Sequence, residues 1–194
     1  MTFLTDFADQ AVILPLVLAV SIALLSQGWR RGAVVWLGVV GATFAVMLTL
    51  KMTFMACSPF FGPMDIRSPS GHVAAATVVA GGLAALLVRR PGSILPIAML
   101  AAVVIGISRL VLGAHSLPEV ALGALVGLAG AAALMRLAGP PPKLKMVPLI
   151  LAIVLVAAVF HGLHLPAEAA IRHGASRAAD FFDVCRPPPG GLPA

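Results

Sequence analysis

An all-α bundle of six transmembrane helices, with both termini on the exoplasmic side, is the fold class this sequence predicts. Three observations predict it. The 194 residues are 60% hydrophobic and only 10% charged, with a mean hydropathy of +1.06, too little charge to cover a soluble domain of this size. Apolar runs recur at about 11–27, 33–56, 71–88, 94–112, 117–137 and 146–164, each near the roughly 20 residues that span a bilayer core as a helix. Basic residues collect in alternate connections between those runs.

The elements follow in order. Residues 1–10 carry Asp6 and Asp9 but no lysine or arginine, the reverse of a signal peptide's basic start, so the first helix is expected to remain in the mature protein. Arg30 and Arg31 follow the first run, with Trp29 and Trp36 beside them, where interfacial tryptophan is expected. The second run leads into a loop, 57–70, rich in turn formers and carrying Cys57, Asp65 and Arg67. Arg89 and Arg90 follow the third run; Gly113 and Pro118 punctuate the passage from the fourth to the fifth. After the fifth come Arg136, the stiff spacer Gly139-Pro140-Pro141-Pro142, Lys143 and Lys145. Beyond the sixth, 166–184 reads as a short amphipathic helix on the exoplasmic surface, with Glu168 and Arg172 one turn apart, and 187–191 as disordered tail. The expected division is therefore 1–165, the membrane bundle, and 166–194, an exoplasmic segment.

The connections after the first, third and fifth helices hold these arginines and lysines and no acidic residue, which makes that face cytoplasmic. The formal charge of +6 is thus a topology signal. A nucleic-acid partner would need a basic patch interleaved with aromatics on a water-exposed surface, and the sequence offers none. Cys57 and Cys185 both fall on the exoplasmic side, where an oxidising compartment permits a disulfide; two unpaired thiols are the alternative. His161 and His164, one turn apart, and His173 read as interfacial packing rather than a metal site, and the eight methionines as core filler.

Two polar islands interrupt the apolar sequence on the exoplasmic side: Ser68-Pro69-Ser70-Gly71-His72, and Ser108-Arg109 followed by His115 and Glu119. Ionisable groups within membrane segments are expensive to bury, so a functional site is the default reading. Pro69 and Gly71 shape a turn before the third helix, and Ser70 suits its N-cap. The helix N-terminus presents free N–H groups and partial positive charge to a phosphate, with His72 in the first turn to reach an ester oxygen. Arg109 offers a planar fork of donors to the same anion. Glu119 lies four residues after His115, within side-chain reach on a helical face. A carboxylate accepting a proton from one ring nitrogen leaves the other nucleophilic.

These residues resemble the type 2 phosphatidic acid phosphatase superfamily, whose motifs are KxxxxxxRP, PSGH and SRxxxxxHxxxD. The second motif is intact as Pro69-Ser70-Gly71-His72; the third reads Ser108-Arg109, His115, Glu119; Lys51 precedes Ser58-Pro59 at the spacing of the first. The resemblance covers about residues 30–135. It implies that His115 attacks phosphorus to form a phosphohistidine, assisted by Glu119, while His72 protonates the leaving oxygen and then activates water. Lys51, Arg109, Ser70 and the Gly71 N–H would hold the phosphate oxygens, with no metal or other cofactor required. Two departures stand out. Glu119 replaces an aspartate, and Ser58 replaces an arginine, removing one cation from the cradle; Arg67 or Arg186 are the candidates to replace it, the latter if Cys57 and Cys185 are bonded.

The function so implied is a metal-independent phosphatase acting on a lipid phosphate or diphosphate, such as undecaprenyl diphosphate, phosphatidylglycerol phosphate, phosphatidic acid or lipid A phosphate. The setting would be a bacterial inner membrane, with the site facing the periplasm. The alternatives are a lipid phosphotransferase using the same histidine and a catalytically silent lipid-binding membrane protein.

Overall fold

The computed structural model describes residues 6–57, 65–87, 91–163 and 167–182. Helices follow the apolar runs closely: α1 (Gln10–Ser26), α2 (Arg30–Ala56), α3 (Gly71–Leu87), α4 (Ile94–Val111), α5 (Leu117–Ala138), α6 (Met146–Phe160) and α7 (Ala167–Phe182). A 3₁₀ turn, Pro91–Ser93, precedes α4, and no strand occurs among the described residues. α2, α4 and α5 are long and apolar enough to cross a membrane. α1, α3 and α6 are equally apolar but shorter, 17, 17 and 15 residues. α6 stops at Phe160 rather than near 164, because Gly162 turns the chain at φ +81°.

α3 is the central helix, packed against α5, α4, α2 and α1. Its alanines and glycines permit the close approach: Val73, Ala74, Ala75, Val78 and Ala85 are buried. α5 meets it along a seam of its own small residues. A β-carbon on Gly123 would run into the carbonyl oxygen of Ser70, and one on Gly127 would lie 2.6 Å from Thr77 Cβ. α6 leans on α1, and α7 lies against α2. Leu18, Ile22, Val34, Leu100, Leu125 and Leu155 point outward, as a surface solvated by lipid requires.

From α1 to α6, helices consecutive in sequence alternate in direction, so helix ends gather at two poles. At one, the Arg31 guanidinium donates two hydrogen bonds to the Leu137 carbonyl (3.1 and 2.9 Å), and the Lys145 N–H donates to Gln27 Oε1 at 2.5 Å. Arg30, Arg136 and Lys143 belong to the same pole; Arg89 and Arg90 lie outside the described residues. At the other pole, the starts of α1, α3 and α5 meet the ends of α2 and α4.

Two expectations are corrected. Trp29 and Trp36 are not interfacial anchors. Both are buried, Trp36 completely, with its Nε1–H donating to the Val17 carbonyl at 3.0 Å, so each ring fills space between helices. Glu168 does not pair with Arg172 along α7; it pairs with Lys51 of α2 at 2.6 Å, because α7 turns that carboxylate toward the bundle.

Candidate active site

Both polar islands meet at the second pole, and Glu119 ties them together. It occupies the third position of α5, after Ser116 at the N-cap and Pro118 in the first turn. Its Oε1 accepts the backbone N–H groups of Arg67 (2.7 Å) and Ser68 (2.6 Å); its Oε2 accepts the Ser116 N–H (3.1 Å) and lies 2.8 Å from His115 Nδ1. A carboxylate satisfied by three backbone donors near a helix N-terminus stays charged. It therefore draws the ring proton onto Nδ1 and leaves Nε2 with its lone pair. The backbone adds to the tie: Ser70 N–H donates to the Glu119 carbonyl at 3.0 Å, and Ser116 Oγ donates to the Asp65 carbonyl at 2.5 Å.

His115 sits in the turn between α4 and α5, after Gly113 at φ +62°, a left-handed conformation suited to glycine. Its side chain is 8% exposed. Burial pushes its pKa down, and the hydrogen bond and charge of Glu119 only partly oppose that, so the ring is neutral near pH 7. A neutral, oriented imidazole is the form a nucleophile needs.

Lys51, on the last turns of α2, is buried. Its Nζ donates to Ser68 Oγ at 2.8 Å and pairs with Glu168 Oε2; Ser68 Oγ donates to Glu168 Oε1 at 2.9 Å. Burial raises the Glu168 pKa, but the hydrogen bond and charge of Lys51 outweigh it and hold the carboxyl below its ordinary range. Gly71 opens α3 so close to Lys51 that a β-carbon there would lie 3.3 Å from Lys51 Cε. Ser70 Oγ and Arg109 Nε are buried with no hydrogen-bond partner among the described residues. Buried polar atoms are rarely left so, and both belong to the residues expected to hold an anion. His72, 27% exposed, feels the charges of Arg109, Asp9, His115 and Lys51, which places all four around it. Lys51, Ser70, Gly71, His72, Arg109, His115 and Glu119, 68 residues apart from first to last, thus share one site.

The other candidates fare differently. Arg67 contributes its backbone N–H to Glu119, while its side chain is exposed. Ser58, Arg186 and Cys185 lie outside the described residues; Cys57 is disulfide-bonded. The His161 ring packs on Phe7 with centroids 4.6 Å apart, and His164 lies outside the described residues. Three side chains that the motifs do not include join the site: Ser68, Glu168 and Asp9. Asp9 is buried, its Oδ2 3.7 Å from His72 Nε2. With only seven acidic residues in the chain, a carboxylate bordering the first apolar run was the signal for it.

The sequence model of the PAP2 superfamily matches residues 32–141, which includes every residue of the cluster except Asp9 and Glu168. The chain is also similar to a Klebsiella pneumoniae protein described as the uncharacterized 22.5 kDa protein in the cps region. Identity is 34% over 165 residues, covering 75% of this chain and 78% of the relative. No solved structure matches. Matched over more than half its length, across the segment that folds into the site, the chain belongs to the PAP2 superfamily of membrane phosphatases.

Proposed function

We propose that this protein is a metal-independent phosphatase that hydrolyses a lipid phosphate or diphosphate at the exoplasmic face through a phosphohistidine on His115. The observation that carries the reading is the His115–Glu119 contact of 2.8 Å, with the carboxylate locked by backbone donors and Nε2 left as the free nucleophilic edge. His115 Nε2 attacks phosphorus as the bond to the lipid oxygen breaks, and His72 gives that oxygen a proton. His72, now neutral, takes a proton from water; the hydroxide attacks phosphorus, the N–P bond breaks and inorganic phosphate leaves. Lys51, Arg109, Ser70 and the Gly71 N–H bear the negative charge of the transferring group. The Glu168 carboxylate marks where an anion is accepted, because its two oxygens take the donors that would serve a phosphate.

A lipid substrate is supported by a cavity of about 460 Å³ between α1, α3, α4 and α6. Its lining includes Phe7, Ala8, Ala76, Ile105 and Ile153, all apolar. Ala8 adjoins Asp9, and Ala76 lies one turn beyond His72, so a hydrocarbon tail seated there would set its headgroup beside the proposed acid. The basic pole supports a six-span arrangement with the site on the far side of the membrane, periplasmic in a bacterial inner membrane.

The test is phosphate release by detergent-purified protein from phosphatidic acid, undecaprenyl diphosphate, phosphatidylglycerol phosphate and lipid A phosphate, without added metal and with chelator. Release from at least one lipid that disappears in His115→Ala is expected, together with an acid-labile phosphoenzyme on rapid quench. Release retained by His115→Ala would sink the proposal.

A further inference from the structure

Asp9 closes the start of α1 and also faces the histidine read above as the proton donor. Its two carboxylate oxygens divide the work. Oδ1 accepts the Ala11 N–H at 2.8 Å, while Oδ2 lies 3.7 Å from His72 Nε2. Capping alone does not call for a charge, since serine, threonine or asparagine caps equally well. A carboxylate 6% exposed beside an apolar helix costs much to desolvate and persists only where a partner compensates it.

His72 needs such a partner. The helices packed around it bring Arg109 from α4 and Lys51 from α2, and the turn before α5 brings His115. The carboxylate of α5, Glu119, is turned to His115, and that of α7, Glu168, to Lys51 and Ser68. Among the described residues, four charged or titratable groups act on His72, and of these Asp9 is the one carboxylate. A general acid must enter its step as imidazolium, which burial of the ring and three basic neighbours disfavour. A separation of 3.7 Å is too long for a hydrogen bond but short enough for an ion pair, so the carboxylate favours the charged ring without taking its proton.

We infer that Asp9 is a positioning residue for His72, orienting its ring and favouring its charged form so that it can protonate the leaving lipid oxygen, while capping α1. The inference rests on His72 being the general acid of the proposed phosphatase.

Asp9→Asn keeps the shape and the capping oxygen and removes only the charge; Asp9→Glu restores the charge. The measurement is the pH dependence of kcat and KM for phosphate release from phosphatidic acid in detergent micelles. Release of p-nitrophenol from p-nitrophenyl phosphate, whose leaving group needs no proton, is the comparison. For Asp9→Asn, kcat on the lipid should fall about 10- to 100-fold with KM within about twofold, within the range general acids contribute. The alkaline limb should move to lower pH, the p-nitrophenyl rate should hold, and Asp9→Glu should recover part of the loss. Equal losses on both substrates, or an unmoved alkaline limb, would show a purely structural cap and overturn the inference. His72→Ala separates the two levels. If it leaves the lipid rate intact, the acid assignment itself fails; if it abolishes the rate while Asp9→Asn does nothing, only the role of Asp9 fails.

Discussion

At the scale of single residues, the site turns on one carboxylate doing two jobs. Glu119 orients His115 and also holds the backbone of Arg67 and Ser68, so its charge acts on the proposed nucleophile and its shape governs the loop. Glu119→Gln should lower kcat about 100-fold or more, as loss of a histidine's orienting carboxylate does, with a smaller effect on thermal stability. A phosphate-release assay beside a melting curve separates the two. The pH dependence has a definite sign. The proposed attack needs the neutral His115 ring, whose pKa lies below the ordinary 6.5, so protonation should remove activity only as pH falls below that value. The acid limb of kcat/KM should therefore lie below 6.5, and Glu119→Gln should move it lower still, because the carboxylate is what supports the protonated ring. An acid limb above 6.5 would contradict the burial argument.

At the scale of elements, α7 and the α3–α5 seam both border the site. α7 lays Glu168 across Lys51 and Ser68, donors that a substrate phosphate would also need. The carboxylate is held below its ordinary range and is ionised throughout the neutral region, so it competes as an anion. Glu168→Gln should lower KM for a lipid phosphate by about 3- to 10-fold, somewhat under 1.4 kcal/mol, with kcat little changed. A raised KM would instead mean that Glu168 helps to bind the headgroup. The seam is less forgiving. Because Gly123 faces the Ser70 carbonyl, Gly123→Ala must push the PSGH turn away from α5. Overpacking of this kind costs about 1–3 kcal/mol. Melting temperature and activity should fall together, and Ser70 N–H should lose its bond to Glu119.

At the scale of the whole molecule, charge is distributed along the bundle axis. Arg30, Arg31, Arg136, Lys143 and Lys145 gather at one pole, and the polar cluster of the candidate site occupies the other. The lateral surface between is studded with exposed leucine, isoleucine and valine. If the basic pole is cytoplasmic, a cysteine introduced at Asp65 should react with an impermeant maleimide on intact spheroplasts. One introduced at Lys143 should react only after permeabilisation. The reverse pattern would put the site in the cytoplasm.

Much of this is legible in the sequence. Helix limits were local information: apolar runs bounded by glycine, proline and charge fold within themselves, and the observed ends lie within a few residues of those read. The His115–Glu119 pair was local too, since His115 directly precedes the N-cap Ser116 and Glu119 follows at the third position of α5. Trp36 was misread because amphipathic composition suggests an interface but cannot say which side faces a neighbouring helix. Asp9 against His72, Glu168 on Lys51 across 117 residues, and the Arg67 and Ser68 backbone on Glu119 join segments far apart in sequence. The sequence by itself determined which helices form and which polar residues they carry, because helix limits and the spacing of near neighbours are short-range. Only the tertiary structure decided which carboxylate serves which base, because that depends on how the helices pack.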